Sequence, residues 1–314
     1  MSARAVGLLL GFVADRALGD PQRFHPVAGF GTVAVGLERR IYADSRRRGV
    51  AHAVVLIGGA VGLGLLTERT CARPLWRTAL TAAAAWAVLG GRSLEREALA
   101  VHRRLADGDL PGARTRLGHL VGRDTSALDE SEVARAVIES VAENTSDAVV
   151  APLVWGAVAG IPGLLGYRAA NTLDAMVGHH NDRHERFGWA SARFDDLVNL
   201  PGSRLAGALA TVLGGRPHIA ARVWRRDAAR HPSPNAGVVE STFAGSLGIR
   251  LGGTNTYYGE RVEHRAVMGD GRPAQPGDIA AAHRLARRVG LAAVAAAGLA
   301  AQLFSRRRAE EKSA

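Results

Sequence analysis

VAHAVVLIGGAVGLGLL, residues 50–66, carries no formal charge; only His52 interrupts the apolar run, which stops at Glu68-Arg69. A helix crossing the hydrocarbon core needs about 20 predominantly apolar residues, with about 17 as a lower limit. The run therefore reads as a membrane span. Leu75 to Gly90 is a second apolar block with Arg77 near its start. With residues 67–74 as a tight turn, the two predict a helical hairpin. Arg39-Arg40 and Arg46-Arg47-Arg48 precede it, and Arg92 and Arg96 follow. The positive-inside rule then places both ends of the hairpin in the cytoplasm.

Residues 148–166 form a third uncharged run, broken by Pro152, Gly160 and Pro162. Such breaks are tolerated at membrane depth only where the freed backbone faces protein or a polar cavity. The run is either a span or a re-entrant pair of half-helices. The re-entrant form is preferred, because it keeps the flanking polar stretches 120–147 and 167–204 on one side, where they read as one site. A last block, 289–304, runs into Arg306-Arg307-Arg308. The expected fold is all-α: a polytopic helical membrane protein with amphipathic helices and a broken apolar segment forming the site. A single integral membrane domain is expected over 1–308, with a disordered tail from 309 to 314.

Composition agrees through its distribution, not its average. Hydrophobic residues make up 47% and mean hydropathy is +0.01, values a soluble enzyme would share; here the apolar residues are pooled into blocks. Glycine is abundant and aromatics are scarce, which suits close helix packing in a bilayer. The net charge of +11 admits nucleic acid, anionic lipid or a phosphorylated substrate as partner. Nucleic acid is disfavoured, since the arginines flank apolar blocks instead of lining one recognition helix. Cys71 is the one cysteine, which excludes an internal disulfide and a multi-Cys metal site. The N-terminal run 5–14 has the look of a short leader, but Asp15-Arg16 and Asp20 follow at once, so it is read as retained.

Between the blocks, residues 93–106 and 112–120 read as helices. Asp129-x-x-Glu132 is a capping box opening a helix through Asp147. Residues 205–214 are too few to span alone, and 216–277 is rich in turn residues.

Four constellations carry chemistry. On the helix opened by Asp129, Glu132, Arg135, Glu139, Glu143 and Asp147 share one stripe at 100° per residue, with Asn144 beside it. The stripe ends where an uncharged block begins, and carboxylates at such a boundary face a cavity, a cation or a substrate; a solvated helix face is the alternative. Arg168, Asn171 and Asp174 stand at three-residue steps, an arrangement that grips a phosphate and an ammonium together or stabilises a helix start after Pro162. Asp195-Asp196 with Asn199 offers hard oxygen ligands suited to Mg²⁺, or a surface cap before Pro201. His25, preceding Pro26, is held extended and reads as a site residue. Arg123 and Asp124 lie in the loop before the Asp129 helix. His179-His180 and His184 lack a carboxylate frame at zinc spacing and read as surface residues. Neither a P-loop nor a GxGxxG after a strand is present.

The stretches DRALGDPQRFHPV (15–27), LVGRDTSALDESEVARAVIESVAENTSDAVVAPLVW (120–155), YRAANTLDAMVG (167–178), ARFDDLVNLPGSRL (192–205) and HPSPNAGVVESTFAGSLGIRLGGTNTYYGE (231–260) together resemble the adenosylcobinamide-phosphate synthase (CobD/CbiB) family of cobalamin biosynthesis. They follow the family's order over most of the chain. His179-His180 and Val238-Val239 depart from the family's usual pattern. The resemblance implies a multi-pass inner-membrane ligase with a cytoplasmic site. It would join adenosylcobyric acid, a corrinoid, to (R)-1-amino-2-propanol phosphate with ATP and Mg²⁺, beside other late cobalamin-assembly enzymes. On that reaction, Asp195 and Asp196 would hold Mg²⁺, and Arg123 and Arg168 would bind phosphates. Glu139 or Glu143 would take the ammonium proton, while Asn144, Asn171 and Asp174 would orient the reactants. Two rivals remain open: a membrane Mg²⁺-dependent phospho-alcohol transferase, and a non-catalytic basic scaffold or transporter.

Overall fold

A computed structural model describes residues 1–20, 25–71, 73–179, 181–257 and 261–311. Twelve helices run through it: α1 (Ala3–Leu18), α2 (Pro26–Ile41), α3 (Arg46–Thr70), α4 (Pro74–Val88), α5 (Gly91–Ala106), α6 (Leu110–Leu117), α7 (Glu130–Thr145), α8 (Ala151–Val177), α9 (Trp189–Leu213), α10 (Pro217–Asp227), α11 (Ala236–Leu247) and α12 (Pro276–Glu311). A π-helical turn, Ser146–Val150, links α7 to α8. α12 carries the chain three residues past Arg308, so part of the expected tail is helical; residues 312–314 lie outside those described. The described chain packs as two compact units. The first comprises Met1–Gly90, Asp147–Gly202 and Ala293–Ala314; the second comprises Gly91–Ser146 and Ser203–Ala292.

Among the described residues, three helical stretches are long and apolar enough to cross a membrane: Arg46–Thr70, the window within Glu130–Val177, and Pro276–Arg307. The second arm of the expected hairpin is not among them. α4 has 15 residues, about 22 Å at 1.5 Å per residue against a hydrocarbon core of about 30 Å. Nor do the two arms chiefly pair with each other: α3 packs against α8, and α4 against α1.

The broken run shows how an interruption inside a helix long and apolar enough to cross a membrane is satisfied. Gly160 takes φ 70° and ψ −144°, splitting α8 into two half-helices; a side chain is strained at that positive φ, and glycine is not. The Ile161 N–H donates to Glu68 Oε1 at 3.0 Å, so a carboxylate from the end of α3 caps the second half-helix. Arg4 donates to the Ala157 and Val158 carbonyls at 3.3 and 3.2 Å and pairs with Glu68 at 3.7 Å. The groups freed by the break thus find protein partners, as the hydrocarbon phase requires.

In the second unit the expected capping box is present: Glu132 N–H donates to Asp129 Oδ1 at 2.8 Å, and Asp129 N–H to Glu132 Oε2 at 3.0 Å. The stretch 216–277, expected as turns, holds α10, α11 and a small sheet. β1 (Ile249–Tyr257) pairs antiparallel with β2 (Arg261–Met268) and parallel with β3 (Arg272–Pro273). α11 is buried from Ala236 to Ser246. A helix buried on every side has no amphipathic period to betray it, and this is why it reads as a loop in sequence. The register of β1 on β2 slips between Leu251 and Gly253, with Gly252 at φ 82°. Such a bulge removes a backbone pair from the ladder and leaves it for another partner.

Candidate functional site

The candidate residues fall into two groups, one in each unit. In the first unit, α8 supplies Tyr167, Arg168, Asn171 and Asp174, and α9 supplies Asp195, Asp196 and Asn199. The Tyr167 hydroxyl lies 2.7 Å from Asn199 Oδ1 and 2.9 Å from the Asp147 carbonyl oxygen. Asn199, its amide oriented by that contact, donates Nδ2–H to Asp195 Oδ2 at 2.9 Å. Asp195 is buried, and its Oδ1 has no hydrogen-bond partner among the described residues. Burial pushes the Asp195 carboxyl up to about 7; the Asp174 carboxylate adds to this, hydrogen bonds from Asn199 and Asn171 offset part of it, and Asp196 contributes a last increment.

The expected Asp195–Asp196 clamp is therefore redrawn. Successive helical residues point about 100° apart, and Asp196 is half-buried beside a buried Asp195; the carboxylate that acts most on Asp195 is Asp174, from the facing helix. Among the described residues, no group of three or more His, Cys, Asp or Glu side chains is arranged to hold a metal ion. The Asp174–Asp195 pair with the unbonded Asp195 Oδ1 matches the one or two protein carboxylates that Mg²⁺ takes beside its waters and phosphate oxygens; the amide oxygens of Asn199 and Asn171 are turned to Tyr167 and Arg168. Arg168 reaches Asn171 Oδ1 with Nη1 at 3.4 Å, while its buried Nε has no hydrogen-bond partner among the described residues. His25 caps α2, its Nδ1 accepting from Val27 N–H at 3.1 Å, and its Nε2 stands 4.0 Å from Asp20.

In the second unit the stripe on α7 divides into separate tasks. Glu132 completes the capping box. Glu139 is buried, paired with Arg123 through Oε2 and with Arg135 at 3.4 Å through Oε1, and it accepts the Gly252 N–H at 2.8 Å. Arg135 donates onward to the Gly252 and Thr254 carbonyls. The glycine bulge thus delivers its unpaired backbone groups to an ion-paired hub, and Glu139 is not on a solvated face. Glu143 is exposed. Asn144 donates to the Ser140 carbonyl at 2.9 Å. Asp124 is exposed and closes a turn by accepting Ser126 N–H at 2.9 Å, which holds its carboxyl below the usual range. Asp147 lies in the π-helical turn.

Among the buried carboxyls not singled out from the sequence, Glu240 lies nearest this hub in its electrostatics. Glu240 on α11 is 1% exposed, neither of its oxygens has a hydrogen-bond partner among the described residues, and His231 Nε2 stands 3.7 Å away. Burial raises it well above the ordinary value; the Glu139 and Glu143 charges push the same way, against Arg265 and Arg123. Asn235 also escaped notice, accepting from Ser203 and Arg204 at 2.8 Å each.

Residues 8–286 match the CobD/Cbib protein family. The chain belongs to this family. It is 48% identical to the cobalamin biosynthesis protein CobD of Mycobacterium tuberculosis, covering 97% of each chain. It is 41% identical to the CobD of Rhodobacter capsulatus over 93% of this chain and 95% of that one. With the CobD of Geobacter metallireducens it shares 41% identity over 90% and 91%. No solved structure matches. Of the family strings, residues 21–24 and 258–260 lie outside those described, as does His180. The signal for Glu240 was present, since it sits inside the fifth string, but its helix has no polar face to mark it. His184, read as a surface residue, instead pairs with Glu38 at 3.1 Å and lies near Phe187.

Proposed function

We propose that this CobD/CbiB family member joins adenosylcobyric acid to (R)-1-amino-2-propanol phosphate, or a close amino-alcohol phosphate, in an ATP- and Mg²⁺-dependent ligation at the cytoplasmic face of the inner membrane. Family membership and the names of the relatives support the pathway. The Asp174–Asp195 pair carries the chemistry: two carboxyls disfavour joint ionisation, Asp195 Oδ1 has no hydrogen-bond partner among the described residues, and a divalent cation relieves both conditions. Asp174 and Asp195 would hold Mg²⁺, with Asn171 and Asn199 fixing their orientation. When bound, the ion would offset charge on nucleotide phosphates.

The corrin propionate becomes electrophilic as an acyl phosphate, with ADP as the other product. Attack by the amine forms the C–N bond as the C–O bond to phosphate breaks, and inorganic phosphate leaves. The amine arrives as an ammonium and must first lose a proton. Exposed Glu143 takes it in this reading, because the oxygens of Glu139 are engaged by two guanidiniums and a backbone N–H. Arg123, committed to Glu139, is set aside as a phosphate ligand.

A deletion strain fed precursors tests the assignment: cobinamide restores growth and adenosylcobyric acid does not. Rescue by adenosylcobyric acid would overturn it. In membranes with normal amounts of protein, Asp195→Asn and Glu143→Gln each lower amide formation by about 100-fold or more, the range of a lost acid–base or ion-holding group; near wild-type rates in both refute the roles. Release of pyrophosphate without a corrinoid requirement would point instead to a phospho-alcohol transferase.

A further inference from the structure

The helices that carry Asp174 and Asp195, α8 and α9, are joined by residues 178–188, with His180 outside those described. Asp174 stands one turn before this connection, and Asp195 less than two turns after it. Both ends of the connection are held at backbone contact. Gly178 N–H donates to the Asp174 carbonyl at 2.7 Å, and a Cβ added at Gly178 would fall on Asp174 Oδ1. A Cβ added at Gly188 would fall on the Val177 carbonyl. The start of α9 is therefore seated on the last residue of α8, and the Asp174 carboxylate lies over the first residue of the connection.

A buried carboxylate outside the site holds the rest of the connection in place. Glu38, near the end of α2, is 8% exposed. Its Oε1 gathers three nitrogens: Arg183 Nη2 at 3.0 Å, Arg183 Nε at 3.2 Å and His184 Nε2 at 3.1 Å. Tyr42, one turn further on, donates its hydroxyl to the Arg183 carbonyl at 3.0 Å, and the guanidinium lies over its ring at 4.1 Å. Phe187, fully buried, packs against the rings of Tyr42 and His52. All of these residues belong to the first unit. A carboxylate this buried persists only with such partners, so its loss frees the segment that spaces the two site helices.

We infer that Glu38 is a positioning residue for the Asp174–Asp195 pair, fastening the α8–α9 connection so that the two carboxyls stay in register for one divalent cation. The inference rests on the ligation reading for the ion alone; the fastening concerns only α8 and α9. It assigns a task to the basic segment 183–186, which the ligation itself leaves without one.

The test uses full-length protein in nanodiscs and takes two readings. Spin labels at Ala175→Cys on α8 and Arg193→Cys on α9, both exposed positions, in a Cys71→Ser chain report the distance between the helices by dipolar electron paramagnetic resonance, without metal or substrate. In unlabelled chains, the second reading is the Mg²⁺ concentration giving half-maximal amide formation. Glu38→Gln is expected to shift or broaden the label distance and to raise the Mg²⁺ half-saturation about tenfold, the low end for residues that orient metal ligands. kcat at saturating Mg²⁺ should change by less than about twofold, the split that marks a lost binding geometry. Glu38→Asp keeps the charge and recovers part of both. Tyr42→Phe removes only the hydroxyl bond and moves both readings the same way by less, which serves if Glu38→Gln does not fold. Arg186→Gln cuts the exposed pair with Asp44 on the same connection and leaves both readings at wild-type values, since exposed pairs contribute little. The inference falls if either reading stays at its wild-type value in Glu38→Gln, or in Tyr42→Phe in its place, while Asp195→Asn alters the Mg²⁺ dependence. A lower melting temperature with both readings unmoved would mark a clamp that serves stability alone. If Asp195→Asn leaves the Mg²⁺ dependence unaltered, the metal reading fails separately, and the label distances alone decide whether Glu38 sets α8 against α9.

Discussion

Asp195→Asn, measured in protein stripped of divalent cations by a chelator, isolates what the buried carboxyl costs the fold. The carboxyl ionises at about 7 in the folded protein against an ordinary 3.8, so between those values the folded chain holds one more proton than the unfolded chain. Stability must then fall as pH rises through that window, and flatten above about 7. Three pKa units at 1.36 kcal/mol each give a ceiling of about 4 kcal/mol, and pH 5 to pH 7 spans about 2–3 kcal/mol of it. At about 2 °C per kcal/mol for a large chain, the melting temperature drops by roughly 5 °C over that interval. Asparagine keeps an oxygen for the Asn199 donor and never ionises. The quantity to follow is the difference in melting temperature between variant and wild type from pH 5 to pH 8, which cancels every other titration. It should widen in favour of the variant as pH rises, and millimolar Mg²⁺ should shrink it by stabilising the wild type alone. A flat difference across the interval refutes the placement of Asp195 in a desolvated site beside Asp174.

Three further substitutions probe other parts of the argument. Arg123→Met strips one guanidinium from buried Glu139 and should destabilise by about 3–5 kcal/mol, with Glu139→Gln in the same chain recovering part; an unchanged melting temperature in Arg123→Met would mean the hub is not a structural pair. Gly160→Ala forces a side chain into φ 70° and against Glu68 and Arg4, a cost of about 1–2 kcal/mol or more seen as a lower yield of folded protein and a lower melting temperature. Glu240→Gln mimics the un-ionised carboxyl and should cost under about 1 kcal/mol, because burial and the Glu139 and Glu143 charges favour the neutral form over the pull of Arg265 and Arg123; circular dichroism melts at pH 7 check this, and a collapse equal to that of Glu240→Lys would show that the charge is required.

The parts of the fold legible in the sequence are those with a one-dimensional signature. The charge-free run of α3, the capping box of α7 and the Gly-Pro break of α8 each declare themselves through local chemistry, and each stands where it was expected. Helix partners have no such signature. Adjacency along the chain suggested that α3 and α4 form a hairpin, yet α3 packs against α8 and α4 against α1, since packing depends on which faces match and not on which helices are neighbours in sequence. α11 failed to show for the opposite reason: Ala236 to Ser246 is buried on all sides, so no exposed polar face marks its period.

The same distinction governs the site. Helical spacing correctly gathered Glu132, Arg135, Glu139 and Glu143 on one stripe, but spacing cannot say what faces them across the interior. Glu139 proved to be answered by a loop arginine more than a dozen residues upstream and by a backbone N–H from a strand over a hundred residues downstream, which turns a candidate base into an anchor for the β1 bulge. Asp195 moved in the other direction. Its sequence neighbour Asp196 suggested a two-carboxylate clamp, whereas the interacting carboxyl belongs to Asp174 on another helix, one turn from the asparagine that also steadies Arg168. A carboxyl whose partner arrives from another helix is desolvated by the packing that brings the partner in. That coupling of burial with like-charge proximity separates Asp195 from the exposed acids of the chain, and it makes Asp174 and Asp195, rather than the more conspicuous Asp195-Asp196 doublet, the pair on which the chemistry should be tested.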